Sequence, residues 1–211
     1  MQDLSAARFY GILDTGYVAP ADWERKCQAL IEGGADIIQL RAKRETPTER
    51  QALLERILPL FDGLDIPLVI NDHLELALAY PRLGLHVGQD DLSVAEARAK
   101  LGPDRVLGLS THSPQQAADA MLQHREHLDY FAVGPVYATQ TKPTYEPVGL
   151  ELVRHVASLN APLPWFAIGG INRRTVAEVK AAGARRVVVV SDVLQADDTP
   201  AAVQEIRQAL G

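Results

Sequence analysis

The stretch VLGLSTHSPQQAADAMLQHREHLDYFAV, residues Val106–Val133, decides the fold. It opens on a short apolar run, Val106 to Leu109, which leads into the polar set Ser110-Thr111-His112. Ser113-Pro114 follows, a capping hydroxyl ahead of a first-turn proline, and predicts a helix from Pro114 to Glu126. A second apolar run, Tyr130 to Val133, closes the unit. Parallel strands buried on both faces read as such short runs of branched or aromatic residues, so the stretch is one β-then-α repeat and the strand after it.

The same alternation extends in both directions. Strand-like runs lie at Phe9 to Leu13, Ile37 to Leu40, Leu68 to Ile70, Gly84 to Val87, Trp165 to Ile168 and Arg186 to Val190, making about eight in all. Helix-like segments separate them: Asp22 to Glu32, Pro47 to Leu60, Leu74 to Ala79, Ser93 to Leu101, Leu150 to Ser158, Arg173 to Ala182 and Pro200 to Leu210. Asn172 and Thr199 are the expected caps of the last two. About eight β-α units predict an α/β fold, a TIM (β/α)8 barrel, as a single domain over residues 1–211. A doubly wound sheet is the main alternative, but no G-x-G-x-x-G follows the first strand.

Composition narrows the function. A net charge of −6 with no basic stripe argues against nucleic-acid binding. No apolar run reaches the roughly 20 residues of a membrane span, and the N-terminus lacks the pattern of a secretory signal, so a cytoplasmic protein is expected. The single cysteine, Cys27, falls on a predicted helix and is read as core packing. Oligomeric state is not legible, and a homo-oligomer stays open.

A TIM barrel gathers its active site at the C-terminal ends of the strands. After the second run come Gln39-Leu40-Arg41-Ala42-Lys43. Alternation sends Gln39, Arg41 and Lys43 one way, with Leu40 and Ala42 opposite. Asn71-Asp72-His73 follow the third run and Gly88-Gln89-Asp90-Asp91 the fourth. A lone Asp there reads as a helix cap. Carboxylates on neighbouring strands, facing two cations, suit a hard cation such as Mg²⁺, which takes one or two carboxylates and fills its shell with water and phosphate oxygens. Spacing alone leaves Asp90 and Asp91 equivalent. His73 and His86 lack zinc-site spacing and thiolate neighbours, and are read as structural or as supports behind residues that touch the ligand. Ser110 near His112 hints at a hydrolase, but no G-x-S-x-G elbow surrounds it, and a substrate hydrogen bond is the better role. Past the sixth run, Thr139-Gln140-Thr141-Lys142 offers hydroxyls and an ammonium to phosphate oxygens. Gly169-Gly170 and Val190-Ser191 stand at the recurrent phosphate position after strands seven and eight. The mouth thus holds two anion sites, one cationic and metal-assisted, the other built of backbone and hydroxyls.

These motifs, taken together with His86-Val87-Gly88-Gln89-Asp90-Asp91, Gly108-Leu109-Ser110-Thr111-His112 and Ala167-Ile168-Gly169-Gly170-Ile171, resemble those of the thiamine-phosphate synthase family, in order from Phe9 to Val193. The resemblance implies a TIM barrel that joins a hydroxymethylpyrimidine diphosphate to a thiazole phosphate, with Mg²⁺. It implies pyrimidine diphosphate binding by Gln39, Arg41, Lys43, Asn71, Ser110 and Lys142, and metal binding by Asp72 and Asp91, selecting Asp91 over Asp90. Thr139, Thr141, Gly170, Val190 and Ser191 would hold the thiazole phosphate, and Leu40, Ala42 and Gln140 join the substrate-binding set. Arg41, Lys43 and Lys142 would be catalytic. Two positions depart from the family pattern: Ala138, where proline is frequent, and Leu83, where an acidic residue is frequent. Neither is a substrate contact in the family.

The resemblance also implies a dissociative reaction, in which the pyrimidine carbon parts from pyrophosphate before the thiazole nitrogen attacks. A thiazole tautomerase of the same fold is the nearest alternative, with His112 as its proton carrier. A non-catalytic sensor would lack the metal carboxylates. An indole-glycerol-phosphate-type barrel would need a lysine and glutamate acid–base set that these strand ends do not offer. The segment from Thr141 to Val148, with two prolines, is the candidate closing loop.

Overall fold

The computed structural model describes residues 4–141 and 145–211. Lys142, and with it part of the candidate closing loop, lies outside the described residues. Among the described residues, eight parallel strands close into a barrel in chain order. They are β1 (Phe9–Asp14), β2 (Ile37–Arg41), β3 (Leu68–Asn71), β4 (Gly84–Val87), β5 (Leu107–Thr111), β6 (Tyr130–Val133), β7 (Trp165–Ile168) and β8 (Val187–Val189). The helices are α1 (Trp23–Glu32), α2 (Pro47–Ile57), α3 (Leu74–Ala79), α4 (Val94–Leu101), α5 (Pro114–Leu122), α6 (Gly149–Ser158), α7 (Val176–Ala181), α8 (Ser191–Leu194) and α9 (Thr199–Leu210). No helix among the described residues is long and apolar enough to cross a membrane.

Strand alternation splits the core into two layers. Phe9, Leu13, Ile38, Leu40, Phe131 and Val133 face the helices, together with Leu30 and Cys27 of α1. Burial pushes the Cys27 thiol up to about 12, so it packs as a small hydrophobe. Tyr10, Ile12, Ile37, Val69, Val106, Tyr130, Phe166 and Val188 fill the interior. At its centre Tyr10, Tyr130 and Phe166 meet edge to face, with centroids 5.5–5.6 Å apart.

That filling dictates one glycine. Gly108 stands opposite Tyr130 in the β5–β6 register, and a Cβ there would lie 2.1 Å from Tyr130 Cζ and 2.5 Å from its hydroxyl.

Helix starts follow the capping signals with two corrections. Ser113 accepts from Gln116 N at 3.1 Å and caps α5, as read. Thr199 does not cap α9: Asp198 does, accepting from Ala201 N at 2.9 Å. The Thr199 hydroxyl is buried instead, accepting from Lys26 at 2.8 Å and donating to Val193 O at 2.9 Å. Asn172 likewise is not the cap of α7. Its Oδ1 accepts from Arg174 N in a turn that precedes the helix, and Thr175 takes the cap position. Helix α2 ends at Ile57, short of the expected Leu60, because Pro59 has no N–H to continue it.

Gly108→Ala is expected to lower the unfolding free energy by roughly 1–3 kcal/mol through overpacking. A reduced urea midpoint at unchanged slope would show this. An unaltered midpoint would mean that Tyr130 has room to move.

Candidate active site

The inner face turns from apolar to polar towards the C-terminal ends of the strands, and a cavity opens there. Nine of the expected positions line it: Gln39, Arg41, Asn71, Ser110, Thr139, Thr141, Gly170, Val190 and Ser191. Leu40 and Ala42 do not. Their side chains are buried in the helix-facing layer, as alternation requires, which leaves only their backbone for a substrate. Gln140 is exposed beside the cavity.

Arg41 is held on two sides. One Nη donates to Asp14 Oδ2 at 2.7 Å, the other to Thr141 O at 3.1 Å. Its buried Nε has no hydrogen-bond partner among the described residues, and neither has the buried Nδ2 of Asn71. Asp14 was missed in the sequence, although alternation along β1 puts it on the face of Tyr10 and Ile12.

Lys43, Asp72 and Asp91 form the rim. Lys43 Nζ lies 2.8 Å from Asp72 Oδ2. The Asp72 backbone takes a φ of +63°, a left-handed turn that breaks the alternation of β3 after the inward Asn71. Partial burial pushes the Asp72 carboxyl up. Lys43, by hydrogen bond and charge, with a hydrogen bond from Asp91 assisting, outweighs that and holds it below its ordinary range. Asp91 also accepts from Gly88 N at 2.7 Å, which braces the loop after β4.

The opposite side is glycine and hydroxyl. Backbone bonds Val136 N to Ile168 O at 2.8 Å and Tyr137 N to Gly169 O at 2.9 Å continue the β6–β7 pairing past the strands. Gly169 and Gly170 have φ of +100° and +65°, and a Cβ on either would strike Pro135 or Tyr137 within 2.7 Å. Only glycine fits so close a pairing. The short helix α8 begins at Ser191, an element that four residues of sequence could not announce.

Two histidines weighed in the sequence also line the cavity. His86, read as structural, lines the cavity and meets Ser110 Oγ at 2.9 Å. His112, the proton carrier of the tautomerase reading, has Nδ1 on Gly134 O at 2.5 Å and stacks at a tilt on Tyr145.

Fold and cavity define the class: a TIM barrel whose mouth gathers cations on one side and glycine backbone on the other, as in barrels that act on phosphorylated small molecules. Comparison with known proteins names the family. The thiamine monophosphate synthase family matches residues 9–193. The thiamine-phosphate synthase of Shouchella clausii is 38% identical over 207 residues, covering 96% of both chains. That of Deinococcus radiodurans is 43% identical over 195 residues, 90% of this chain and 68% of its own. A thiamine phosphate pyrophosphorylase structure from Pyrococcus furiosus superposes with a TM-score of 0.82 at 27% identity, covering 97% of this chain and 95% of that one. The chain belongs to the thiamine monophosphate synthase family.

Asp14→Asn leaves the Arg41 cation without its charge partner and should cost ~3–5 kcal/mol of stability. Chemical denaturation reads this, and a loss below about 1 kcal/mol would show that the pair holds nothing in place.

Proposed function

We propose that this chain condenses 4-amino-2-methyl-5-hydroxymethylpyrimidine diphosphate with 4-methyl-5-(2-phosphoethyl)thiazole, or its carboxylate, giving thiamine phosphate and pyrophosphate. The observation that carries the reading is the pair of orphaned buried donors, Arg41 Nε and Asn71 Nδ2, on residues of the neighbouring strands β2 and β3 that both line the cavity. A buried donor without an acceptor costs roughly 1–3 kcal/mol. An oxygen-rich diphosphate relieves that cost.

The chemistry needs charge stabilisation more than acid–base exchange. The bond between the pyrimidine methylene carbon and the diphosphate oxygen breaks, and its electrons leave with pyrophosphate. The ring amino group feeds the resulting carbocation, and the thiazole nitrogen lone pair closes the new C–N bond. Arg41, Lys43 and Lys142 stabilise the departing charge, with Gln39, Asn71 and Ser110 holding the pyrimidine. Thr139, Thr141, Gly170, Val190 and Ser191 hold the thiazole phosphate, so that its nitrogen waits in line.

Asp72 and Asp91 fit a magnesium ion. Both are hard oxygen donors, they lie within reach of each other, and the Lys43 contact keeps Asp72 ionised. Among the described residues no group of three or more His, Cys, Asp or Glu is placed to hold a metal, so a cation here would draw on water and substrate phosphate, as magnesium does. When bound, it supplies positive charge to the leaving diphosphate. We place the protein in the cytoplasm with these substrates. The tautomerase reading gains no support, since the relatives named above are synthases.

The test is thiamine phosphate formation by the purified protein, first with Mg²⁺ and then with EDTA. Product that depends on magnesium is expected; metal-free isomerisation of the thiazole carboxylate, with no condensation, would move the protein to the tautomerases. Asp72→Ala with Asp91→Ala should abolish the magnesium response, and an intact response would sink the metal assignment. The two anion sites should separate kinetically. Lys142→Ala is expected to lower kcat by ~10²–10³, whereas Ser191→Ala should raise the KM for thiazole phosphate with kcat little changed.

A further inference from the structure

Side chains from β1, β2, β4, β5 and β6 form one unbroken hydrogen-bonded line beneath the cavity. Gln39 Nε2 donates to the Tyr10 hydroxyl at 2.6 Å, and that hydroxyl meets the one of Tyr130 at 2.8 Å. Tyr130 meets His86 Nδ1 at 2.9 Å, and His86 Nε2 meets Ser110 Oγ at 2.9 Å. All of these residues are buried. Tyr130 is the member that does not line the cavity.

Each phenol carries one proton, and with Gln39 as the donor at one end the line runs in the one order that gives every buried hydroxyl hydrogen an acceptor. Tyr10 accepts from Gln39 and therefore gives its own proton to Tyr130. Having accepted there, Tyr130 donates to His86 Nδ1. That nitrogen then carries no hydrogen, so the neutral ring is protonated on Nε2 and donates to Ser110. The Ser110 hydroxyl hydrogen is left to donate upward, and the Gln39 amide oxygen is left to accept. Burial holds both phenols neutral, raising them far above their ordinary range. A serine 2.9 Å from a histidine otherwise suggests a nucleophile. Here the third partner is a phenol that donates to the ring, where a triad has a carboxylate that accepts from it. Nε2 is thereby a donor and cannot take the serine proton.

We propose that Tyr130 is a positioning residue that fixes the polarity of the cavity floor, a donor at Ser110 and an acceptor at Gln39. This floor selects a ring edge that pairs an acceptor nitrogen with a donor amino group. An aminopyrimidine has that edge, and the corresponding oxopyrimidine has it reversed. The inference rests on the reading that Gln39 and Ser110 contact the pyrimidine.

Tyr130→Phe keeps the ring and its edge contacts and removes only the link. In the ligand-free protein, ¹⁵N NMR should show the His86 ring as the Nε2–H tautomer, and Tyr130→Phe should mix the tautomers. Tyr10→Phe removes the hydroxyl whose proton makes Tyr130 a donor, and should mix the tautomers as well. Kinetically, Tyr130→Phe should raise the KM for the pyrimidine diphosphate ~tenfold with the KM for thiazole phosphate unchanged. Preference for the amino over the oxo substrate should fall by a similar factor. An Nδ1–H ring in the wild type overturns the direction of the line. An unaltered tautomer in Tyr130→Phe overturns the part given to Tyr130. A shifted tautomer with unchanged KM and preference overturns the selectivity. The NMR arm needs no ligand, so a faulty pyrimidine assignment shows separately, as an unchanged pyrimidine KM in Ser110→Ala.

Discussion

The space inside the barrel governs everything above it. Eight strands enclose an interior that side chains must fill, and three aromatic rings take its centre. Their bulk requires Gly108 on the facing strand, because any side chain there would overlap Tyr130. The two tyrosine hydroxyls need partners once buried, and Gln39 and His86 supply them. The floor of the cavity is therefore set by packing first and hydrogen bonding second. Neither could change alone.

Electrostatics at the mouth work by pre-neutralisation. The chain carries a net charge of −6, yet its site cations are not left bare: Arg41 is paired with Asp14 and Lys43 with Asp72. The first pair is almost fully buried, so its geometry is fixed, and the Arg41 Nε stays buried without a hydrogen-bond partner among the described residues. The second is half-exposed and screened by water. The mouth thus combines one rigid cation with one adjustable one.

Much of this was legible in the sequence because strand alternation is a strict rule. It separated Gln39 and Arg41, which line the cavity, from Leu40 and Ala42, which do not. The same rule applied to β1 points to Tyr10 and Asp14, but a tyrosine inside an apolar run reads as bulk, and Asp14 acquires meaning only through a strand 27 residues away. Asp72 was found as a strand-end carboxylate, yet its left-handed turn is a local exception that no periodicity encodes. Between Asp198 and Thr199 both are good capping residues. The choice was made by Lys26, a helix α1 ammonium that needs a buried oxygen and takes the threonine's. Helix α8 is too short to show a period at all.

The segment after β6 joins the two halves of the mouth. It leaves the barrel paired with β7 through Val136 and Tyr137, which sets it against the glycines of the phosphate side. It then crosses to the cationic side, where the Thr141 carbonyl accepts from Arg41 and its hydroxyl meets that of Tyr17 at 3.1 Å. Thr139 braces the crossing by accepting from Thr141 N at 3.2 Å. Arg41 is therefore shared: the same guanidinium that lines the cavity also anchors the strap that carries Thr139 and Thr141.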